Sequence, residues 1–326
     1  MTQINFKNQR YTVAADNDVL TTLLEAGEKI PFSCRTGSCQ SCLMKATQGT
    51  PPEAAQIGLK DTLKAQAYFL ACQCHPQENL EIDLPNTIDT RYKSRVLEKQ
   101  WLNDDVIQIK LARPKNFNFR AGQYLTLWKD EHLARSYSIA NLPDSNELEF
   151  HIRVLPQGQF SSWAAYETLE NNLLEIQGPT GDCFYLEDAI DADLVLIGTG
   201  TGLAPLQGIL SDALKAGHRG RIDLFHAGLN PHNLYNTDLL TKYASEYDNV
   251  FYHPCVLDKA GVVDSRVEYL EGDISDVVFE KFPSMVGKKV YLCGDPDLVK
   301  KLKTKTFLLG ANSQDIYADA FEPSQY

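Results

Sequence analysis

The chain is short of several things, and each shortage removes a class of function. It lacks a basic excess: 31 Lys and Arg stand against 43 Asp and Glu, a net charge of −12. Nonspecific nucleic-acid binding therefore has no cationic surface to work with. It lacks any apolar run long enough to span a bilayer. The opening MTQINFKNQR lacks the apolar core of a signal peptide, so a cytoplasmic location is expected. The seven histidines fit no catalytic motif, and neither a Ser/His/Asp arrangement nor an acid–base dyad is evident. There is no low-complexity tract. Cysteine is scarce too, yet three of the eight fall in PFSCRTGSCQSC, residues 31–42. In a reducing compartment such a cluster reads as metal or redox chemistry rather than as disulfides. At 326 residues the length exceeds one core, so two or three domains are expected.

Four residues separate Cys34 from Cys39 and two separate Cys39 from Cys42, and Cys72 follows after 29 more. C-x4-C-x2-C…C is the spacing of a plant-type [2Fe–2S] site, in which two irons each take two thiolates. Gly37 and the small Ser33, Ser38 and Ser41 let backbone N–H groups approach the sulfides. The main rival is a structural zinc, which usually pairs two C-x2-C knuckles where this chain has one. A Rieske centre needs two histidines, and only His75 lies near. Cys74 and His75 read as packing residues. CRTGSCQSC resembles the cluster loop of plant-type ferredoxins, and residues 1–88 resemble their whole β-grasp domain. The neighbouring sequence agrees: INFKN and RYTVAA read as strands, and Asn17 or Asp18 as the cap of a helix carrying Val19, Leu20, Leu23 and Leu24. Gly27 closes that helix, and LEIDLP alternates as a last strand. Gln40 stands where many reductase-linked ferredoxins have glycine.

PNTIDTRYKS (85–94) is polar and turn-rich and reads as a linker. Beyond it, VIQIKLA and ELEFHIRV alternate as strands of an antiparallel barrel. On this barrel RSYS (135–138) resembles the R-x-Y-S flavin motif of the ferredoxin–NADP reductase family. The resemblance implies a six-stranded FAD-binding barrel over 93–187. Arg135 would meet the pyrophosphate, Tyr137 would stack on the isoalloxazine ring, Ser138 would bond near flavin N5, and Ser136 would also contact the cofactor. It further implies contacts from Ile152, Arg153 and Val154, and from Gly158, Ser161 and Ser162 of GQFSS, a segment that reads equally as a capped helix start. Gly178 and Thr180 belong to the closing loop GPTGDCF.

DLVLIGTGTGLAPLQGILSDAL opens with an apolar strand, turns on glycine and continues with Leu203, Leu206, Leu210 and Leu214 on one helical face. This is the first βα unit of a Rossmann-like parallel α/β domain, assigned to 190–326. Gly198, Thr199, Gly200, Thr201, Gly202 and Pro205 resemble the G-x-G-x-[GA]-P nicotinamide turn of ferredoxin reductases, with Leu203 as an extra residue. The same resemblance puts Cys293, Gly294 and Asp295 of LCGDP beside nicotinamide C4, although Cys293 also reads as a small core residue. It makes Asp319 and Phe321 the terminal acid and the aromatic cover of the flavin, with Asp in place of the usual Glu and five residues following Phe321. The stretch FHAGLNPHNLYN has no Arg or Lys for a 2′-phosphate, which favours NADH.

Taken together, these resemblances imply a multidomain α+β and α/β electron-transfer chain carrying a [2Fe–2S] cluster, FAD and NADH. Ser138, Cys293, Asp319 and Phe321 would sit at the hydride transfer. The expected activity is NADH-dependent reduction of the terminal oxygenase of a mono- or dioxygenase system, or of a second ferredoxin, by a monomer with no membrane or nucleic-acid partner. A reductase for a deoxysugar dehydratase and a redox sensor are the other readings. Residues 1–88 carry seven Lys and Arg and nine Asp and Glu, a net −2. So weak a charge predicts electron transfer to the acceptor protein that is nearly independent of ionic strength, and a steep fall with added salt would contradict it.

Overall fold

The computed structural model describes residues 2–37, 40–85, 91–260 and 267–321. It divides into two units, Met1–Ile88 and Asp89–Tyr326. In the first, β1 (Thr2–Phe6), β2 (Gln9–Val13), β3 (Leu43–Gln48), β4 (Tyr68–Leu70) and β5 (Leu80–Asp83) form a mixed sheet in the order β2-β1-β5-β3-β4. β1 runs parallel to β5, and the other pairs are antiparallel. Period-two alternation decides which face turns inward: Leu80 and Ile82 are buried while Glu81 and Asp83 stay half-exposed. The buried face shares a core with Val19, Leu20 and Leu23 of α1 (Val19–Glu25). Asp18, not Asn17, caps that helix, its carboxylate accepting the Thr21 N–H at 2.6 Å. Gly27 ends it at φ 87°, and the Glu28 N–H returns to the Leu23 carbonyl at 2.9 Å. A single turn, α2 (Asp61–Lys64), precedes β4.

The second unit begins with a strand where the sequence suggests the end of a linker. Residues 91–94 open β6 (Arg91–Trp101), and residues 86–90 lie outside the described set. The polar letters of RYKS conceal an alternation in which Tyr92 packs on the core and Ser94 and Val96 are buried. β6 joins β7 (Val106–Ala112), β8 (Tyr124–Trp128), β9 (Ala134–Ser138), β10 (Glu147–Arg153) and β11 (Leu173–Thr180). Their order is β10-β7-β6-β11-β8-β9, antiparallel throughout. A short helix, α3 (Gln159–Ser162), follows β10.

The rest of this unit is a parallel sheet: β12 (Asp193–Thr199), β13 (Ile222–Gly228), β14 (Val250–Val256), β15 (Leu270–Glu271), β16 (Lys288–Gly294) and β17 (Ile316–Ala320). The order is β15-β14-β13-β12-β16-β17. Leu194 to Ile197 are buried without alternation, because helices cover both faces of such a sheet. Those helices are α4 (Leu203–Lys215), α5 (Thr237–Glu246), α6 (Ile274–Lys281) and α7 (Pro296–Leu308). Leu203, Leu206 and Leu210 give α4 its buried face. Strand order reverses beside β12, and ligands of open α/β sheets bind at such a reversal, outside the strands' carboxyl ends. Among the described residues no helix is long and apolar enough to cross a membrane.

Asp18→Ala removes the acceptor that holds the first turn of α1. It is expected to destabilise the first unit by about 1 kcal/mol, read as a lower urea midpoint at unchanged slope.

Candidate cofactor sites

The cysteine loop leaves β-structure behind and turns through left-handed backbone at Arg35 (φ 56°), Gly37 (φ 81°) and Gln40 (φ 56°). Cys34 is exposed, whereas Cys42 and Cys72 are buried with their thiols in hydrogen-bonding reach. Burial pushes the Cys42 thiol up to about 11, so a bound cation is what would make it a thiolate. Donors already face sulfur: the Thr36 N–H lies 3.4 Å from Cys34 Sγ, and the Gln73 side-chain amide 3.5 Å from Cys72 Sγ. Cys39 and Ser38 lie outside the described residues. Among the described residues, which exclude Cys39, no three potential ligands converge. An all-thiol set with N–H donors aimed at sulfur fits an iron–sulfur cluster. Cys74 is wholly buried, and His75 Nδ1 lies 3.1 Å from the Asn17 carbonyl, so neither is left over for a metal.

In the second unit one cleft of about 1300 Å³ runs between the antiparallel and the parallel sheet. It exceeds the usual size for one small ligand, as a cleft for two dinucleotides must. Arg135, Ser136, Tyr137 and Ser138 line it from β9, and Arg153, Gly158 and Ser161 from β10 and the start of α3. Tyr137 packs at 5.5 Å from the Phe160 ring, and Arg153 pairs with Asp105 at 3.2 Å. From the parallel sheet come Thr199, Gly200, Thr201, Gly294, Asp295, Asp319 and Phe321. Charge is divided between the two walls. Among the described lining residues Arg135 and Arg153 are the cationic Arg/Lys side chains, both on the antiparallel side, where Asp105 pairs with Arg153, while Asp273, Asp295, Asp297 and Asp319 line the other.

The two sheets are tied directly. The Ser138 hydroxyl donates to Asp319 Oδ2 at 3.0 Å across 181 residues of sequence. Parallel pairing sets Asp319 opposite Cys293, and the Phe321 N–H donates to the Gly294 carbonyl at 2.8 Å. Burial pushes the Asp319 carboxyl up to about 6, against the hydrogen bond from Ser138, with the charge of Asp182 adding to the rise. Close approach explains Gly202: a Cβ there would sit 2.3 Å from the Cys293 carbonyl oxygen, so only glycine lets the turn after β12 rest on β16.

Several expected residues stand behind the cleft rather than on it. Cys293 is buried, its sulfur 3.8 Å from that of Cys183, and its thiol is raised well above the ordinary range by burial. Gly198, Gly202 and Pro205 support the turn, Pro205 inside the first turn of α4 rather than at its opening. Ile152, Val154, Ser162, Gly178 and Thr180 do not line the cleft either. Conversely Tyr124, Thr126 and His151 do, without any motif to mark them. Tyr124 and Thr126 follow only from the pairing of β8 with β9, and His151 occupies a position that alternation assigns to solvent.

Three family models match the chain in succession: a 2Fe-2S iron-sulfur cluster binding domain over 2–77, an oxidoreductase FAD-binding domain over 93–185 and an oxidoreductase NAD-binding domain over 196–304. The chain is 32% identical over 322 residues to the ferredoxin–NAD(P)(+) reductase component of the naphthalene 1,2-dioxygenase system of Pseudomonas putida, covering 97% of each. It is 29% identical over 318 residues to the reductase component DmpP of phenol 2-monooxygenase from Pseudomonas sp. (strain CF600), covering 93% of this chain and 89% of the other. Among solved structures, the Amycolatopsis cytochrome P450 reductase GcoB aligns over 99% of both chains with a TM-score of 0.68 at 26% identity.

Asp319 ionises as pH rises through about 6. Its raised value means that ionisation opposes folding above that pH, and that Ser138 faces a carboxylate there and a neutral acid below. The pH profile of NADH-driven flavin reduction is expected to show an inflection near 6 that Asp319→Asn flattens. An inflection that survives the substitution would assign it to another group.

Proposed function

The chain belongs to the family of ferredoxin–NAD(P)(+) reductase components of multicomponent oxygenase systems, and we propose that it carries electrons from NADH through FAD and a [2Fe–2S] cluster to a partner oxygenase. Bound together, these cofactors supply the conversion of a hydride's electron pair into single electrons. What the protein supplies is position and field. Arg135 and Arg153 would offset the flavin pyrophosphate, and the Tyr137 ring would shelter one ring face. Ser138, held by Asp319, would present its hydroxyl where hydride arrives. Thr199, Gly200 and Thr201, at the carboxyl end of β12, would receive the nicotinamide nucleotide, with Gly294 and Asp295 opposite. Cys34, Cys39, Cys42 and Cys72 would hold the cluster, and residues 1–88, 93–187 and 190–326 would form the three cofactor domains, in a reducing cytoplasm.

The observation that carries this reading is the large cleft lined by both sheets, with Ser138 and Asp319 joined across it. The division of charge supports NADH over NADPH, since the described wall of the parallel sheet offers carboxylates where a 2′-phosphate would need a cation. We also infer that the antiparallel sheet closes as a barrel. An isolated pairing of Ile139, just past β9, with Phe150 of β10 supports closure, because those strands end the sheet order.

Anaerobic protein is expected to show flavin bands with an iron–sulfur shoulder, both bleaching on addition of NADH. Cys72→Ser should abolish the shoulder and leave NADH-driven reduction of a small dye intact. Colourless protein holding zinc in place of iron would overturn the reading.

A further inference from the structure

At the back wall of the cleft a chain of buried polar groups crosses from one sheet to the other. His151, on β10, is 2% exposed. Its Nε2 lies 2.9 Å from Glu149 Oε1, and its Nδ1 lies 3.1 Å from the hydroxyl of Tyr235. Tyr235 belongs to the parallel half, in the segment between β13 and α5, and is equally buried. Its ring meets His151 edge-on at 5.2 Å and His226 of β13 edge-on at 5.4 Å. His226 pairs in register with Gly198, at the entrance to the glycine turn.

With the His151 imidazole neutral, the chemistry allows one arrangement of protons. Burial would raise Glu149, but hydrogen bonds from His151 and from the Gln108 amide at 2.8 Å bring it below its ordinary value. An ionised carboxylate only accepts, so His151 Nε2 carries the proton. Burial pushes the Tyr235 phenol well above its usual range, so it stays protonated and donates to Nδ1. Burial likewise lowers His226 to about 4, and it stays neutral. Every donor from Tyr235 to Glu149 then has one acceptor, and the imidazole can occupy one orientation.

We propose that Glu149–His151–Tyr235 is a positioning device for hydride transfer: it fixes the angle between the flavin-side strand β10 and the nicotinamide-side segment between β13 and α5, whose Tyr235 packs on His226 beside the entrance to the glycine turn. The inference rests on the electron-transfer reading above. A shift of about 1 Å between reacting groups costs up to about a hundredfold in rate, so loosening one buried hydrogen bond in this chain matters. His151 lines the cleft but acts through the halves it joins, not on the reacting atoms.

The test uses the full-length protein with its cofactors. Tyr235→Phe and His151→Gln are compared with the parent in single-turnover reduction by NADH, and the first also by 15N NMR of histidine-labelled protein. The expected result is a limiting rate about tenfold lower in both variants, with NADH half-saturation and the later cluster-to-acceptor phase unchanged. The parent's His151 should carry its proton on Nε2, with an Nδ1 shift that moves in Tyr235→Phe. Unchanged limiting rates, even with a lower melting temperature, would reduce the chain to a structural role and overturn the proposal, as would a rise in half-saturation alone. A parent protein that NADH cannot reduce would instead remove the electron-transfer reading, and this proposal with it.

Discussion

Two sheets built on different rules meet along one line, and the hydrogen bond from Ser138 to Asp319 lies on it. Everything that makes the cleft usable follows from holding that line in place. The antiparallel sheet brings Arg135, Tyr137 and Ser138 to its edge strand. The parallel sheet delivers the turn after β12 and the ends of β16 and β17 to one rim, because parallel strands present their carboxyl ends together. Gly202 completes the arrangement by letting the turn lie against the Cys293 carbonyl, and any side chain there would lift it off β16.

Much of this was legible in the sequence because local chemistry wrote it there. A buried parallel strand followed by a glycine turn leaves an apolar run and a gap in side-chain volume, and both are visible in residues 194–202. The short cysteine spacings are equally local, and so is the cap at Asp18. What escaped depends on distant partners. His151 sits in ELEFHIRV where alternation predicts solvent, and it is buried because Glu149 and Tyr235, the latter 84 positions away, satisfy both its nitrogens. RYKS looks like linker because its letters are polar, yet pairing with β11 makes it strand. Cys293 was expected beside the nicotinamide. Its strand turns that side chain toward Cys183, 110 positions away, and leaves Gly294 on the rim.

The distinction between residues on the cleft and those behind it also organises the energetics. Buried carboxylates and imidazoles are costly unless paired, and here Glu149 and His151 pair with each other and with Gln108 and Tyr235. Asp319 is relieved less completely. Its one described side-chain hydrogen bond, from Ser138, leaves it with a raised pKa at the junction of the sheets. A buried carboxylate with a raised pKa on the rim of a cleft is the pattern expected of a site kept ready for a ligand.

The uneven charge of the two walls has a kinetic meaning. Two arginines with one carboxylate on one side and four carboxylates on the other treat two phosphate-bearing guests differently. On the proposed reading, the guest held by the arginines is a permanent tenant, retained through many cycles. The guest facing the carboxylates meets repulsion as well as hydrogen bonds, so it is held weakly and departs once spent. Asymmetry of this sort makes one wall an anchor and the other a revolving door.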